Sequence, residues 1–437
     1  MVSGNSGIRF WTWGLPGASL VLLMVSVTNT VSAAKDPGLL ESEKPCLRLT
    51  SRIVSTDQPG FYNAIYADRK DGRLLSPTKV SEDNGVSWDP LVWKPDFTEG
   101  LPNGYRRAPL TAVRDSNAGA IMMVCNAMDT PGLNPLVKEP PIAQKSYYLR
   151  YRVSMDGGRS WLFDEPIIQT GSFNSGHPVE GVWVGKNAIY LGDLGCIPLI
   201  TRRGTVLLPA QTTPLAPDGS LWNPGGGHTY TEVVVLLGTW GKKGRIRWTA
   251  SARVSGDPRL TTRGLIEPTL AEFPKGRILM VMRGSNGGKA DPKEQLPSHK
   301  WFAVSHDDGQ TWSKTEPWTY DDGSSFFSPS SMSRLITHSS GRCFWVGNIT
   351  PENCAGNLPR WPLVIGEVEP KSLRLMRQSL VVVDSEQPGD AAQGRLDISH
   401  VTALEDRQTH EIILTYPRAH NAYKSSEWIT ARYELEK

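Results

Sequence analysis

Three octapeptides decide the reading of this chain: Ser81-Glu82-Asp83-Asn84-Gly85-Val86-Ser87-Trp88, Ser154-Met155-Asp156-Gly157-Gly158-Arg159-Ser160-Trp161 and Ser305-His306-Asp307-Asp308-Gly309-Gln310-Thr311-Trp312. Each follows Ser-x-Asp-x-Gly-x-Ser/Thr-Trp. The pattern is that of a hairpin turn. The Asp carboxylate can accept from backbone N–H groups inside the turn, the Gly takes a positive φ, and the Trp packs back onto the sheet. These Asp residues are therefore expected to be structural, not catalytic. The first and second copies are 73 residues apart and the second and third 151, about twice as far. A further copy is expected near 230–245, where Gly241-Lys242-Lys243-Gly244-Arg245-Ile246-Arg247-Trp248 keeps the Trp but has lost the Asp. Such a period means stacked supersecondary units in one body.

Outward from the turns, each unit reads as short strands. The runs 105–113, 119–125, 146–153 and 161–169 are β-rich and broken by Asp-Ser-Asn, Pro-Gly and Asp-Gly-Gly, and 263–271, 276–283, 299–304 and 312–318 repeat the plan. Helical periodicity is almost absent after residue 33. Four-stranded units around a ring make a β-propeller, which leaves only short, protected edges. The expected fold is all-β, with six four-stranded antiparallel blades at about 58–95, 105–170, 190–260, 263–318, 327–385 and 395–437. The last unit shows three obvious strands, and residues 46–54 are expected to supply its fourth and close the ring.

Composition agrees with this plan. The 437 residues carry 47 Lys+Arg against 44 Asp+Glu, so the net charge is only +3, which argues against a nucleic-acid partner. Gly (42) and Pro (33) exceed average usage without a collagen-like period, as expected of a chain full of tight turns. Residues 1–33 carry one charge, Arg9, an apolar run over 18–27, and small residues at Val31-Ser32-Ala33. This is expected to be a secretory signal peptide, cleaved to leave one propeller domain over 34–437 that is secreted or periplasmic and has no membrane span. Of the five Cys, Cys343 and Cys354 flank an expected hairpin and are the best disulfide candidates, although five buried thiols fit the count equally well. Asn348-Ile349-Thr350 is a glycosylation sequon. No Cys/His spacing or acidic cluster suggests a metal, and no cofactor is expected.

The octapeptide resembles the Asp-box of the sialidase (neuraminidase) superfamily, whose architecture is a six-bladed propeller. The resemblance covers about 46–437. It implies three arginines that grip a substrate carboxylate, a Tyr nucleophile activated by a Glu, and an Asp general acid/base. Glu267-Pro268-Thr269-Leu270-Ala271-Glu272, followed by the strand ending in Arg283, resembles the segment in which the activating Glu opens one strand and the second Arg ends its neighbour. Arg360, in Asn357-Leu358-Pro359-Arg360-Trp361-Pro362-Leu363, resembles the third arginine. Arg107, in the Arg-x-Pro of Tyr105-Arg106-Arg107-Ala108-Pro109-Leu110, resembles the first, with Asp129 in the place of the acid/base. Arg107 falls in the second unit, however, whereas the family motif belongs in the first, which offers only Phe61-Tyr62-Asn63-Ala64. No Tyr stands at the start of the last unit, Gly394-Arg395-Leu396-Asp397-Ile398-Ser399-His400, where Asp397 or His400 could replace it as nucleophile or base. Tyr416 and Tyr423 come later, in a context unlike the family's. The loops at His177-Pro178-Val179-Glu180 and Gly225-Gly226-Gly227-His228-Thr229-Tyr230 offer further sugar contacts, chiefly His228 and Tyr230.

Three functions fit. The first is an exo-glycosidase hydrolysing a terminal acidic sugar, its carboxylate held by Arg107, Arg283 and Arg360, with Glu267, Asp129 and Asp397 as catalytic groups. The second is a polysaccharide lyase on uronate glycans, with His228, Tyr230 or His400 abstracting a proton. The third is a non-catalytic glycan-binding propeller. In each the partner is a glycan, and the sequence is silent on oligomeric state.

Overall fold

The computed structural model describes residues 42 and 44–436, apart from 69–71, 135, 136, 138–141, 422 and 424. The expected signal peptide lies outside the described residues. Among those described, the chain forms six antiparallel sheets, each a blade. Blade 1 comprises Ile65–Tyr66, Leu74–Leu75, Lys79–Ser81 and Asp89–Pro90. Blade 2 comprises Tyr105–Asp115, Ala120–Asp129, Tyr148–Ser154 and Asp164–Pro166. In blade 3 the inner strand is split into Ile189–Tyr190 and Leu199–Ile200, followed by Val206–Thr212, Glu232–Trp240 and Ile246–Ala250. Blade 4 comprises Leu265–Phe273, Arg277–Gly284, Lys300–Ser305 and Glu316–Pro317, and blade 5 Arg334–Thr337, Cys343–Asn348, Leu363–Glu367 and Val381–Asp384. Blade 6 has another split inner strand, Leu396–Asp397 and Thr402–Glu405, then Ile412–His420 and Ser425–Leu435. Its outer strand is Leu47–Ser55, which pairs antiparallel with Ser425–Leu435 from Leu47↔Leu435 to Ser55↔Trp428. The N-terminal strand thus closes the ring, and the six-bladed propeller expected from the octapeptides is the observed fold.

Each blade is buried on both faces because its neighbours cover it. The second strands therefore read as nearly continuous apolar runs, such as Ile121-Met122-Met123-Val124-Cys125 and Ile278-Leu279-Met280-Val281-Met282, all essentially buried. Separate apolar clusters seal blade 2 to 3, 3 to 4, 4 to 5 and 5 to 6. The seam between blades 6 and 1 is more polar. There Arg407 stacks 3.9 Å over the Tyr66 ring, and Asn84 Nδ2 donates to Asp406 Oδ1 at 3.1 Å.

The octapeptides join third to outer strands at the end of the ring opposite the site described below. In the copy at 305–312, Ser305 Oγ donates to Asp307 Oδ1 at 2.8 Å. The Thr311 N–H and hydroxyl donate to the two Asp307 oxygens at 2.9 and 2.5 Å, and the Gly309 N–H donates to Ser305 Oγ at 2.9 Å. The copies at 81 and 154 repeat these contacts. The hydrogen bonds from Ser87 and Ser81 hold the Asp83 carboxyl down at about 2. The degenerate copy ends in Trp248 on the outer strand of blade 3, where the indole is buried against Gly238. Asp307→Ala is expected to lower stability by about 1–2 kcal/mol, because it strands the turn donors together, and to leave the site at the other end unaffected. Chemical denaturation alongside a ligand-binding assay checks both halves.

Two sequence expectations need correction. All five cysteines are free and buried. Cys343 pairs with Thr337 at one end of its strand, while Cys354 follows Asn348 at the other, so a strand of about 17 Å separates the two thiols. The sequon asparagine is fully buried, and its Nδ2 donates to the carbonyls of Arg360, Pro362 and Ile398 at 3.2 Å each, so the folded chain offers no glycosylation acceptor there. Among the described residues no helix is long and apolar enough to cross a membrane.

Candidate functional site

The first strands of the blades line the axis, since they contact one another around the ring. Three of them break register or split near one end, and those breaks carry the polar groups. In blade 4 pairing skips between Ile266 and Thr269, and Glu267 sits there at φ +51°, a left-handed backbone costing about 1–2 kcal/mol. Its N–H donates to Gln211 Oε1 of blade 3 at 3.0 Å, and its carboxylate accepts from Arg283 Nη1 at 2.6 Å. The expected meeting of Glu267 and Arg283 at the inner end of one hairpin is thus the observed geometry. Arg283 also donates to Ser330 Oγ at 2.8 Å and to Asn357 Oδ1 at 3.2 Å.

Arg360 reaches the same place from the loop after the second strand of blade 5. It donates from Nη2 to the Ser330 carbonyl at 3.0 Å and from Nη1 to Asp397 Oδ2 at 2.8 Å. Ser330 therefore links the two guanidinium groups. Asp397 also accepts from Ser399 Oγ at 2.6 Å and Arg395 Nη2 at 3.3 Å. Burial opposes its ionisation, but Arg360 and His400 outweigh burial and hold the carboxyl below its ordinary range.

The gap in the inner strand of blade 6 carries His400, and the gap in blade 3 carries Asp193. His400 Nε2 lies 3.2 Å from Asp193 Oδ2, and its Nδ1 is hydrogen-bonded to the Tyr423 hydroxyl. Burial pushes the His400 pKa down, but Asp193 and then Asp397 push it up further, so the imidazole titrates above its ordinary value. Burial pushes the Tyr423 phenol well up, and Asp397 adds to this. Two further cations lie close by. Arg334 is buried with Nη1 unpaired, and burial lowers it to about 10. Lys300 is fully buried, donates to the Pro329 and Ser331 carbonyls, and falls to about 7 through burial and the nearby Arg283. Glu267 Oε2, Arg360 Nε and Arg395 Nε are also buried without a partner. Cations here (Arg283, Arg334, Arg360, Arg395 and protonated His400) outnumber the carboxylates Asp193, Glu267 and Asp397, so the cluster is built for an anion. It meets solvent through Tyr62, Tyr423 and Arg395, all half-buried.

The other sequence candidates lie elsewhere. Arg107 pairs with Asp129 at 2.6 Å, and the Tyr148 hydroxyl donates to the second Asp129 oxygen at 2.7 Å. The Arg107 guanidinium lies 5.7 Å from the Tyr105 ring and 5.8 Å from the Tyr148 ring. Among the described residues no hydrogen bond or ion pair joins Arg107 or Asp129 to Glu267, Arg283, Arg360 or Asp397. Tyr230 is buried, with its hydroxyl donating to the Gly256 carbonyl at 2.5 Å, and so faces the core rather than a ligand. His228 is largely exposed on the same loop, and partial desolvation of its ring and then the nearby Arg263 lower its pKa. Asp193, Arg334, Lys300 and Tyr423 were not singled out by sequence. Tyr423 has one signal, its place in the turn between the long strands Ile412–His420 and Ser425–Leu435 of blade 6.

Asp193→Asn is expected to move the His400 titration to lower pH, because the main group favouring the imidazolium is lost while burial remains. Following the His400 ring by NMR across pH 5–9 checks this (window chosen around the ordinary His value of about 6.5), and an unmoved midpoint would reject Asp193 as the cause. With its pKa raised by folding, His400 contributes stability that is complete below about 6.5 and is lost as pH rises through the folded value.

An all-β ring of six four-stranded blades with a buried polar cluster at one end of its axis is a six-bladed β-propeller. A family model described as "BNR repeat-like domain" matches residues 136–418, so the chain belongs to that family. The fold is similar to a protein of unknown function from Dyadobacter fermentans, at 15% identity and TM-score 0.56, over 90% of this chain and 100% of that one. It is also similar to the NanB sialidase from Streptococcus pneumoniae, at 13% identity and TM-score 0.51, over 89% of this chain and 70% of that one. No curated protein matches the chain.

Proposed function

We propose that the protein is an exo-acting glycoside hydrolase that removes a terminal carboxylated sugar, of the sialic-acid kind, from a glycan, and that it is exported after cleavage near Ala33. The observation that carries the reading is the pair of arginines, Arg283 and Arg360, joined through Ser330 beside the Tyr423–His400–Asp193 chain. The planar forks of the two arginines suit a carboxylate. Tyr423 is the nucleophile in this reading. Neutral His400 takes the phenol proton at Nδ1 as the Tyr oxygen attacks the anomeric carbon, and Asp193 steadies the resulting imidazolium. The bond to the leaving oxygen breaks and that oxygen takes a proton from solvent at the half-open mouth; water then attacks the anomeric carbon and gives a proton to solvent, while the bond to the Tyr423 oxygen breaks and that oxygen takes its proton back from the His400 imidazolium. Asp397, enclosed by Arg360, Arg395 and Ser399, orients Arg360 and is no nucleophile here. Glu267 does the same for Arg283.

The same Tyr423–His400 pair beside two arginines also suits abstraction of a proton α to a carboxylate, which keeps a uronate lyase as the second reading. Incubation with sialylated and uronate-terminated oligosaccharides separates them. Release of the free acidic sugar with no unsaturated-uronate absorbance supports hydrolysis, and absorbance supports elimination. Neither product from a folded protein would leave the glycan-binding propeller.

A further inference from the structure

A groove of about 400 Å³ opens at the same end of the ring, on the rim of blade 3. Trp183, Pro214, Leu215 and Pro217 form its apolar walls, and Glu232 and Arg253 its polar side. Trp183 is 38% exposed although large and apolar. It is not loose, because one face of the indole lies parallel on the His177 ring at 4.6 Å and the Trp183 backbone N–H donates to Asn187 Oδ1 at 2.7 Å. His177 is fixed in turn by an Nδ1 contact of 2.6 Å with the Val182 carbonyl. Arg253 is held by the Glu180 carbonyl, and its Nη1 is buried without a partner. Glu232 Oε1 accepts from Ser255 Oγ at 2.7 Å. A braced aromatic face beside one cation and one carboxylate is what a neutral pyranose requires. The C–H face of the sugar stacks on the indole, and vicinal hydroxyls accept from the guanidinium and donate to the carboxylate.

The groove is also placed to continue the central site. Glu232 pairs with Thr212, and the residue before it, Gln211, holds the backbone of Glu267. Glu232 stands two strands out from the axis-lining strand, about 10 Å at ordinary strand spacing. We propose that this groove is a second subsite, which binds a neutral sugar of the chain that bears the acidic residue. The substrate would then lie radially, its acidic end on Arg283 and Arg360 and the next sugars over blade 3. This placement rests on the proposed function, whereas the binding of neutral sugar at Trp183 does not.

The test titrates the full chain with lactose, cellobiose and chitobiose by calorimetry, for wild type, Trp183→Ala and Arg253→Gln, with a thermal melt of each to show that it is folded. At least one disaccharide is expected to bind the wild type, with about tenfold loss in Trp183→Ala and Arg253→Gln. No heat with any disaccharide up to millimolar concentration, or equal binding by Trp183→Ala, would overturn the subsite. If the wild type and variants bind as expected but no acidic glycan is turned over, the subsite stands and the hydrolase reading falls. If turnover occurs, Trp183→Ala is expected to raise KM about tenfold on an oligosaccharide and leave a small aryl glycoside unaffected.

Discussion

Arg283→Ala is expected to destabilise the protein by about 3–5 kcal/mol and to abolish turnover of an acidic sugar. Arg283 and Glu267 are each only about 5–6% exposed, and their 2.6 Å pair replaces the water that both groups lose on folding. Removing the guanidinium leaves a buried carboxylate whose Oε2 already lacks a partner, on a backbone held at positive φ. It also removes the Arg283 partner of the Asn357 amide oxygen and one of two partners of the Ser330 hydroxyl, which still donates to Ser285 Oγ. Glu267→Gln in the same chain removes the stranded charge, so the double variant is expected to regain a large part of the lost stability but none of the activity. Denaturant melts of both single variants and the double check the first statement, and initial rates check the second. If the double variant is no more stable than Arg283→Ala, the buried pair is not the source of the loss.

Tyr423→Phe is expected to lower kcat by about 10²–10⁴ while changing stability by no more than about 1 kcal/mol. Among the described residues the hydroxyl is hydrogen-bonded to His400, and the side chain is half-buried in a turn, so its loss strands little. His400 keeps its contact with Asp193 and gains no new partner. The raised His400 pKa gives the wild-type rate a direction. The imidazole accepts the Tyr423 proton only when neutral, so activity should rise with pH through a value above the ordinary 6.5. A base other than His400 would leave that limb unmoved when Asp193 is replaced. A pH–rate profile of wild type beside Asp193→Asn separates the two, since the limb moves to lower pH only if His400 is the titrating base.

The fold was legible because its signal is local and repeated. Ser, Asp, Gly and Trp at fixed offsets make one turn, and their spacing sets the size of the unit. Even the ring closure by 46–54 followed from a last unit one strand short. The Glu267–Arg283 pair was legible for the same reason, since both lie on one hairpin whose register a short stretch of sequence determines. The rest of the cluster is assembled from different blades at breaks in the inner strands. Asp193 sits in Gly192-Asp193-Leu194-Gly195, and no rule of local sequence says that this gap faces His400, 207 positions further on. Tyr423 was passed over because the expected position was the start of blade 6, whereas the residue reaches His400 from the turn of a later hairpin. Arg107 shows the converse failure. Its Arg-x-Pro motif lies in the second blade rather than the first, and its guanidinium is taken up by Asp129 beside the Tyr105 and Tyr148 rings. Local pattern reports the strand and its end.

The most direct test of the account uses a fluorinated, activated derivative of an acidic sugar, which slows release of a covalent intermediate. After incubation with the full chain, peptide mass mapping is expected to find the sugar on Tyr423, and the adduct should be absent in Tyr423→Phe and in Arg360→Ala. An adduct on any other residue, or turnover of the unmodified substrate with no adduct at all, would contradict the placement of the reaction at the Tyr423–His400–Asp193 chain.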